Sequence, residues 1–313
     1  MLPRFLHGLE AAVISQKDLD LIDNFYRGSI HQIQSLPTNA AKESIYLIVG
    51  TLPAEAHLHM RILSMVGRAA RLDCLHPLRQ LALRQLSVRV DSPRSWFSYA
   101  ATIGHIYSIN IFKAILYPWS KQAWKQYYKA TISQWWLSEL QKKAEGKTSL
   151  DWLLPRPHMM SPHLLWQVCQ GRPYLVEAAS TRVRMLAGRY RLQTAAALYS
   201  KHKESSLCPL CEQEDEDIIH LLVLCPKLEA ARENKLRRLT EIYLDEGVKP
   251  PESPYEMCSA LLNGNSYTYS EEADYIFSIT SAQHISTANS ICNILCHKLH
   301  TVRDILINQH LDK

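Results

Sequence analysis

Three cysteines and one histidine between residues 208 and 225 follow the pattern Cys-x2-Cys-x8-His-x4-Cys. A gap of two residues lets two thiolates on one tight turn reach the same ion, and zinc accepts three sulfurs and one imidazole in a tetrahedron. The pattern predicts that Cys208, Cys211, His220 and Cys225 bind one structural Zn²⁺. Because four protein ligands leave no position for water or substrate, a zinc hydrolase is excluded. The alternative is that the four are ordinary buried residues of a helical core.

The segment from Asp217 to Leu224 favours a helix, which restricts how His220 and Cys225 can share an ion. Five residues apart on an α-helix, the two side chains would point about 140° away from each other. Pro226 disfavours the α conformation for the residue that precedes it. We therefore predict that the chain bends at Cys225, so that its thiol turns back towards His220.

The composition indicates a globular chain. Of its 313 residues, 47% are hydrophobic and 21% charged, so a sizeable core is expected. Eight irregularly spaced cysteines are too few for a disulfide framework and favour a reducing, intracellular compartment. Residues 1–13 contain Arg4 and Glu10 and do not form a signal peptide. The longest uncharged run, 275–297, carries too many polar side chains for a membrane span.

Apolar residues recur every three or four positions along much of the chain, and prolines separate these runs, so the expected fold is mainly α. Helices are predicted over 16–34, 39–50, 54–72, 77–90, 96–117, 120–143, 175–186 and 271–308. Composition shifts suggest four segments: a helical N-terminal segment (1–92), a Trp-rich helical connector (93–160), a small knuckle domain around the zinc ligands (161–243) and a C-terminal helical tail (244–313).

The net charge of +5 conceals two opposed blocks. Residues 181–203 carry six cations and no acid, whereas the next 14 residues carry six acids. A polyanion would therefore contact the flanks of the knuckle, and Tyr190 and Tyr199 could stack on bases. The alternative is a solvated helix face, which is the more frequent cause of such a run. The predicted phosphate contacts are Arg182, Arg184, Arg189, Arg191, Lys201 and Lys203.

Several stretches together resemble the C-terminal zinc-binding domain of LINE-type (non-long-terminal-repeat) retrotransposon reverse transcriptases. They are Ala178–Gln193, Cys208–Cys211, Glu216–Asp217, His220–Leu222, Cys225–Pro226 and Leu228–Arg232. Residues near the start look like the thumb and connector that follow the palm in those proteins, namely Leu2–Glu10, Leu36–Pro37 and Leu52–Arg61. The resemblance implies a thumb-like segment over 1–92 and a reverse-transcriptase zinc-binding domain over 161–243.

The resemblance does not extend to the chemistry of that family. Its polymerases hold two metal ions with an adjacent Asp-Asp pair on a palm hairpin, and this sequence contains no adjacent Asp-Asp. We therefore expect a non-catalytic C-terminal fragment that lacks the palm. Its expected partner is RNA or DNA, and neither a small-molecule substrate nor a membrane is expected. The alternatives are a structural or protein-interaction module with a structural zinc, and an unselected retroelement relic.

Other residues were weighed as sites. Helical spacing places Cys292, Cys296, His297 and His300 on one side of a helix, where a second metal site competes with a buried core. Cys74 and Cys169 have no partner in sequence and are expected in the core. All seven Trp lie between Trp96 and Trp166; they could stack on nucleotides, but core packing is the more frequent role of such a stripe.

Overall fold

A computed structural model describes residues 6–88, 95–153, 161–201, 203–264 and 281–311. The fold is mainly α, as predicted, and apart from one isolated bridge the described residues contain no β-structure. In chain order, the α-helices of these residues are α1 (Gln16–Ile33), α2 (Lys42–Val49), α3 (Ala54–Ala70), α4 (Pro77–Val88), α5 (Trp96–Ile106), α6 (Ile111–Leu116), α7 (Lys121–Glu145), α8 (Leu164–Gln167), α9 (Val176–Leu186), α10 (Gln193–Tyr199), α11 (Glu229–Asp245), α12 (Pro254–Asn263) and α13 (Ala282–Leu311).

The single helix predicted over 96–117 is wrong, because the chain leaves the helix after Ile106 and starts α6 at Ile111. Ser108 adopts a left-handed φ of 58°, and the Asn110 side chain then caps α6 by accepting the Lys113 N–H at 2.8 Å. The reversal packs against Gly104, where an added Cβ would lie 2.5 Å from the Ile109 carbonyl oxygen. Apolar residues continue across the break, so the periodicity of the sequence does not indicate this turn.

The C-terminal region contains one helix more than predicted. Helix α12 begins at Pro254 with a capping box, in which Ser253 accepts the Glu256 N–H and the Glu256 carboxylate accepts the Ser253 N–H. Residues 265–280 lie outside the described part of the chain, so the start predicted at 271 is not described. The predicted boundary at 92/93 lies outside it too.

Packing divides the chain into two compact units that do not follow sequence order. Unit 1 comprises 1–30, 50–143 and 156–161, and unit 2 comprises 31–49, 144–155 and 162–313. The four-segment division stays a prediction, since a segment that contributes to a unit need not fold by itself. No helix among the described residues combines the length and apolar character needed to cross a membrane.

Unit 1 is built around α3, which packs against α4, α5 and α6. The indole of Trp124 lies in its core and donates from Nε1 to the Leu63 carbonyl oxygen at 2.7 Å. Gly67 makes room for this ring, because an added Cβ would lie 2.2 Å from Trp124 Cδ1. Tyr128 and Trp136 are also buried, which favours the core interpretation of the aromatic stripe over nucleotide stacking.

Unit 2 is built around α13, which packs against α9 and α11. Helix α12 packs against α9 and α13 and contacts the turn His220–Leu224, which carries one predicted metal ligand, His220, and is followed by another, Cys225. The ligands therefore lie against the helical core of unit 2.

Candidate metal centre and adjacent basic pocket

The four predicted ligands converge. The ligand atoms of Cys208, Cys211, His220 and Cys225 all lie within 4.8 Å of one another, which is close enough to hold one metal ion. Cys208 Sγ lies 3.9 Å from Cys225 Sγ, and Cys211 Sγ lies 3.4 Å from His220 Nε2. Ligands at the bond lengths of a tetrahedral Cys₃His zinc site stand about 3.6–3.8 Å apart, so these two separations match such a site.

A tight hairpin-like loop presents the first two ligands. Cys208 N–H donates to the Glu214 carbonyl oxygen at 2.8 Å, and Leu207 forms the isolated bridge with Asp215. Glu212 N–H then donates to the Cys208 carbonyl oxygen, with Glu212 at a left-handed φ of 56°. These bonds close the loop so that both thiols face the same point.

A π-helical turn at His220–Leu224 presents the other two ligands. Cys225 N–H donates to the His220 carbonyl oxygen five residues earlier, at 2.7 Å. A wider turn reduces the angle between residues five apart and so brings His220 and Cys225 towards one side. Cys225 has φ −55° and ψ 117°, as expected for a residue before proline, so the predicted bend at Cys225 is present. The sequence analysis missed the π turn itself.

The thiols differ in acidity. Burial raises the pKa of Cys208 to about 12 and also raises the pKa of Cys225. Burial likewise opposes ionisation of Cys211, but hydrogen bonds from the backbone of Gln213 and Glu214 lower its pKa to about 7. Without a cation, the two buried thiols are protonated at neutral pH. A bound metal ion would instead stabilise all three thiolates, which is how metal binding releases protons.

A carboxylate orients the histidine. Glu214 Oε2 lies 3.0 Å from His220 Nδ1, and this contact leaves Nε2 facing the Cys211 thiol. Carboxylate partners of this kind set the ring orientation and tautomer of metal-binding histidines. Asp217 contributes separately, because its side chain accepts the His220 N–H at 2.7 Å and caps the turn. Part of the acidic block therefore serves the candidate metal centre.

The buried carboxylate of Glu216 connects this loop to the helices around it. It pairs with Arg303 of α13 through two bonds of 2.6 and 2.8 Å, and it accepts the Gln193 N–H at the start of α10. The Glu216 backbone carbonyl accepts the Thr194 hydroxyl. The ion pair could not be predicted from the sequence, because its two residues lie 87 positions apart.

The prediction that Arg182 contacts phosphate is wrong, because the residue lies in the core. Its side chain is fully buried and joins three helices of unit 2, because Nε donates to the Leu262 carbonyl oxygen while Nη1 donates to the side-chain oxygens of Asn289 and Asn293. A guanidinium in this position cannot reach a polyanion without opening the core. We therefore assign Arg182 a structural role.

Three of the other predicted contacts share one pocket. Arg184, Arg189 and Arg191 line a cavity of about 520 Å³ together with Tyr190, Gln193 and residues of α13 that include His300, Arg303 and Asp304. Lys201 and Lys203 are exposed and do not line this cavity. The pocket residues of α13 were not predicted, because nothing in the sequence links them to residues more than 100 positions earlier.

The two tyrosines predicted to stack have different surroundings. Tyr199 is 77% exposed, so its ring is accessible. Tyr190 is partly buried, with its hydroxyl 3.0 Å from His300 Nδ1 and the Arg303 guanidinium above its ring. Burial raises the pKa of Tyr190, which keeps the hydroxyl protonated. Among the two, only Tyr199 presents a free face to a base.

The other sequence candidates do not assemble. Cys292 and Cys296 are buried on α13, while His297 Nδ1 lies 3.2 Å from the Thr181 hydroxyl and His300 contacts Tyr190. Within the described ranges, the Cys₃His cluster brings metal-binding side chains close enough to share an ion, and α13 carries no such group. The core assignment of Cys74 is wrong, because its side chain is exposed, and Cys169 is only partly buried.

No family model, curated protein or solved structure matches this chain. The fold and the site define a mainly helical chain with a Cys₃His cluster able to hold a metal ion. Any function therefore has to be argued from the cluster and its surroundings.

Proposed function

We propose that the chain is a non-catalytic, zinc-stabilised nucleic-acid-binding module. The observation that carries the proposal is the convergence of Arg184, Arg189 and Arg191 in one pocket whose wall is tied to the metal-binding loop through Glu216 and Arg303. Zinc is the proposed ion because three thiolates and one imidazole form a donor set that suits it. When bound, Zn²⁺ would hold the loop closed and perform no reaction, because Cys208, Cys211, His220 and Cys225 occupy its four positions.

Phosphate contacts would come from Arg184, Arg189 and Arg191 in the pocket and from exposed Lys201 and Lys203, with Tyr199 stacking on a base. We further propose that the module corresponds to the C-terminal part of a LINE-type reverse transcriptase. The resemblance of the ligands and their flanking residues supports this assignment. A palm with an Asp-Asp pair in the adjacent coding sequence would strengthen it.

The test is the salt dependence of binding to labelled single-stranded RNA and DNA. Each phosphate contact to a single strand gives a slope of about −0.7 in log K against log salt, so five contacts would weaken binding up to about 100-fold between 50 and 200 mM salt. Arg191→Ala and Lys203→Ala should each reduce the slope, whereas Arg238→Ala on exposed α11 should not. Affinity that does not vary with salt would contradict the proposal.

A second candidate, a protein-interaction module, is favoured by the exposed apolar surface of α10. Leu198 and Tyr199 are 66% and 77% exposed, although both are large side chains. The two functions are distinguished by Leu198→Asp. This substitution should abolish binding to a protein partner, and it should leave salt-dependent binding to nucleic acid within about twofold.

A further inference from the structure

The pocket beside the metal centre, which we call the arginine pocket, is lined by Arg184, Arg189, Arg191 and Arg303 as cations and by Asp304 as an acid. It belongs wholly to unit 2 and lies between the turn after α9, the start of α10 and the last turns of α13. Its volume, about 520 Å³, falls in the range of small-molecule sites. Arg184, Arg189 and Arg191 form no ion pair among the described residues, so the pocket favours an anion.

Much of the hydrogen-bonding capacity of these arginines is unused. Among the described residues, Arg191 makes no hydrogen bond or ion pair, and Arg184 donates only from Nε, to the Ser35 carbonyl oxygen. Arg189 donates from Nη1 to the Tyr199 hydroxyl, while its buried Nε has no partner in the described structure. The free donors of Arg184 and Arg191 are therefore available to an anion in the pocket.

The wall formed by α13 is held in place before any ligand enters. Arg303 is fixed by its two bonds to Glu216, and its guanidinium lies over the ring of Tyr190. The Tyr190 hydroxyl contacts His300 Nδ1. Arg303 is therefore neutralised by Glu216 and orders the wall, while the donors free to contact a ligand are those of the other three arginines. A pocket whose wall is fixed loses little entropy on binding.

The three arginines with free donors, Arg184, Arg189 and Arg191, favour one kind of phosphate. An internal phosphodiester offers two non-bridging oxygens, and the strand must enter and leave on both sides. A phosphomonoester offers three terminal oxygens and nearly a second negative charge, and it can end inside a cavity. We propose that the arginine pocket binds a phosphomonoester, carried by a free nucleotide or by the phosphorylated end of a nucleic-acid strand.

This inference rests on the proposed function, because Arg184, Arg189 and Arg191 serve both. The test uses the full zinc-loaded chain and four probes: inorganic phosphate, 5′-AMP, and a single-stranded DNA decamer with either a 5′-phosphate or a 5′-hydroxyl. Affinities are measured by calorimetry at one fixed salt concentration. We expect the 5′-phosphate to tighten decamer binding about tenfold, since it adds several charge-assisted hydrogen bonds. Binding of 5′-AMP alone, without any effect of the 5′-phosphate on the decamer, would assign the site to free nucleotides.

Arg191→Ala is the main variant, because Arg191 is exposed and without partners, so its loss leaves the fold intact. It should remove most of the preference for the 5′-phosphate, and Arg184→Ala should act in the same direction. The matched control is Arg238→Ala, which removes an exposed arginine of α11 that does not line the pocket. Circular dichroism and zinc content should be unchanged in all three variants.

The outcomes separate the two proposals. Equal affinity for both decamers, with no binding of 5′-AMP or phosphate, would overturn the phosphomonoester site and leave salt-dependent strand binding intact. Binding of 5′-AMP that Arg191→Ala abolishes, with no affinity for either decamer or for single-stranded RNA, would support the pocket and contradict the proposed function. If neither the four probes nor single-stranded RNA binds, both proposals are wrong.

Discussion

Unit 1 and unit 2 are both helical, but they bury different chemistry. In unit 1 a buried network joins uncharged groups: Trp136 donates to the Tyr107 hydroxyl, and that hydroxyl lies 2.8 Å from His59 Nδ1. In unit 2 the buried side chains include Arg182, the Glu216–Arg303 pair and three of the four candidate metal ligands. Buried charges need specific partners, whereas neutral networks are less costly to replace. The structure of unit 2 therefore depends on specific ionic and polar partners as well as on helix packing.

The largest expected effect is the loss of the metal centre. Cys211→Ser removes one ligand, and small zinc modules derive about 10 to 16 kcal/mol of apparent folding energy from their ion. We expect one zinc per chain in the unsubstituted protein and none in the variant, with loss of hydrogen-exchange protection over 206–228. Cys74→Ser, at an exposed cysteine of unit 1, is the control and should keep the metal. A metal-free protein that retains protection over 206–228 would contradict the structural role.

The next effect tests the buried charge of unit 2. Arg182→Ala leaves Leu262, Asn289 and Asn293 without their donor and creates a cavity, so it should lower the free energy of unfolding by about 3–5 kcal/mol. Urea denaturation measures this change. Arg191→Ala, at an exposed arginine of the same basic run, should change stability by less than about 0.5 kcal/mol. Equal effects of the two substitutions would show that Arg182 is not the link between α9, α12 and α13.

Lowering the pH should destabilise unit 1 through its buried histidines. Burial lowers the pKa of His59 to about 4, and it also lowers the pKa of His57 to about 4. Between pH 6.5 and 4 the unfolded chain binds protons that these buried rings do not, so stability falls as the pH falls, by up to about 3 kcal/mol for each ring. Urea midpoints at pH 7, 5.5 and 4.5 measure the slope. His59→Gln should flatten part of it, and an unchanged slope would mean that His59 is protonated inside the fold.

The smallest effect concerns the packing of unit 1. Gly67→Ala places a methyl group against the Trp124 indole and should cost about 1–3 kcal/mol. The matched control is Gly28→Ala on α1, where an added Cβ meets nothing within 4 Å, and there the change should stabilise the protein by about 0.5–1 kcal/mol. We expect Gly67→Ala to lower the midpoint of thermal unfolding and Gly28→Ala to raise it. A change of the same sign in both variants would mean that the indole can move aside.

The sequence predicted the parts of the molecule that depend on local rules. Proline positions and apolar periodicity located α1, α3, α4 and α9 to within a few residues, since both act over a few turns of chain. Ligand spacing was sufficient to select Cys208, Cys211, His220 and Cys225, because the geometry of a four-ligand site restricts loop length.

The missed features depend on distant partners. Arg182 looks like a surface cation in a basic run, and only Asn289 and Asn293, more than 100 residues later, make it a core residue. The arginine pocket likewise needs α13, whose polar sequence shows no relation to residues 184–191. The π turn has no signal in composition, because it depends on one hydrogen bond between His220 and Cys225 rather than on residue type.

The Glu216–Arg303 pair also has a consequence for synthesis on the ribosome. Its two residues are separated by 87 positions, so Glu216 emerges long before the arginine that neutralises it has been translated. Burying a carboxylate without its partner costs a large desolvation free energy. The loop that carries the zinc ligands should therefore close late. We expect a nascent chain stalled at residue 300 to be cut by proteases within 206–228. The released 313-residue chain should resist the same treatment, because Arg303 of α13 is then present to pair with Glu216 of the loop.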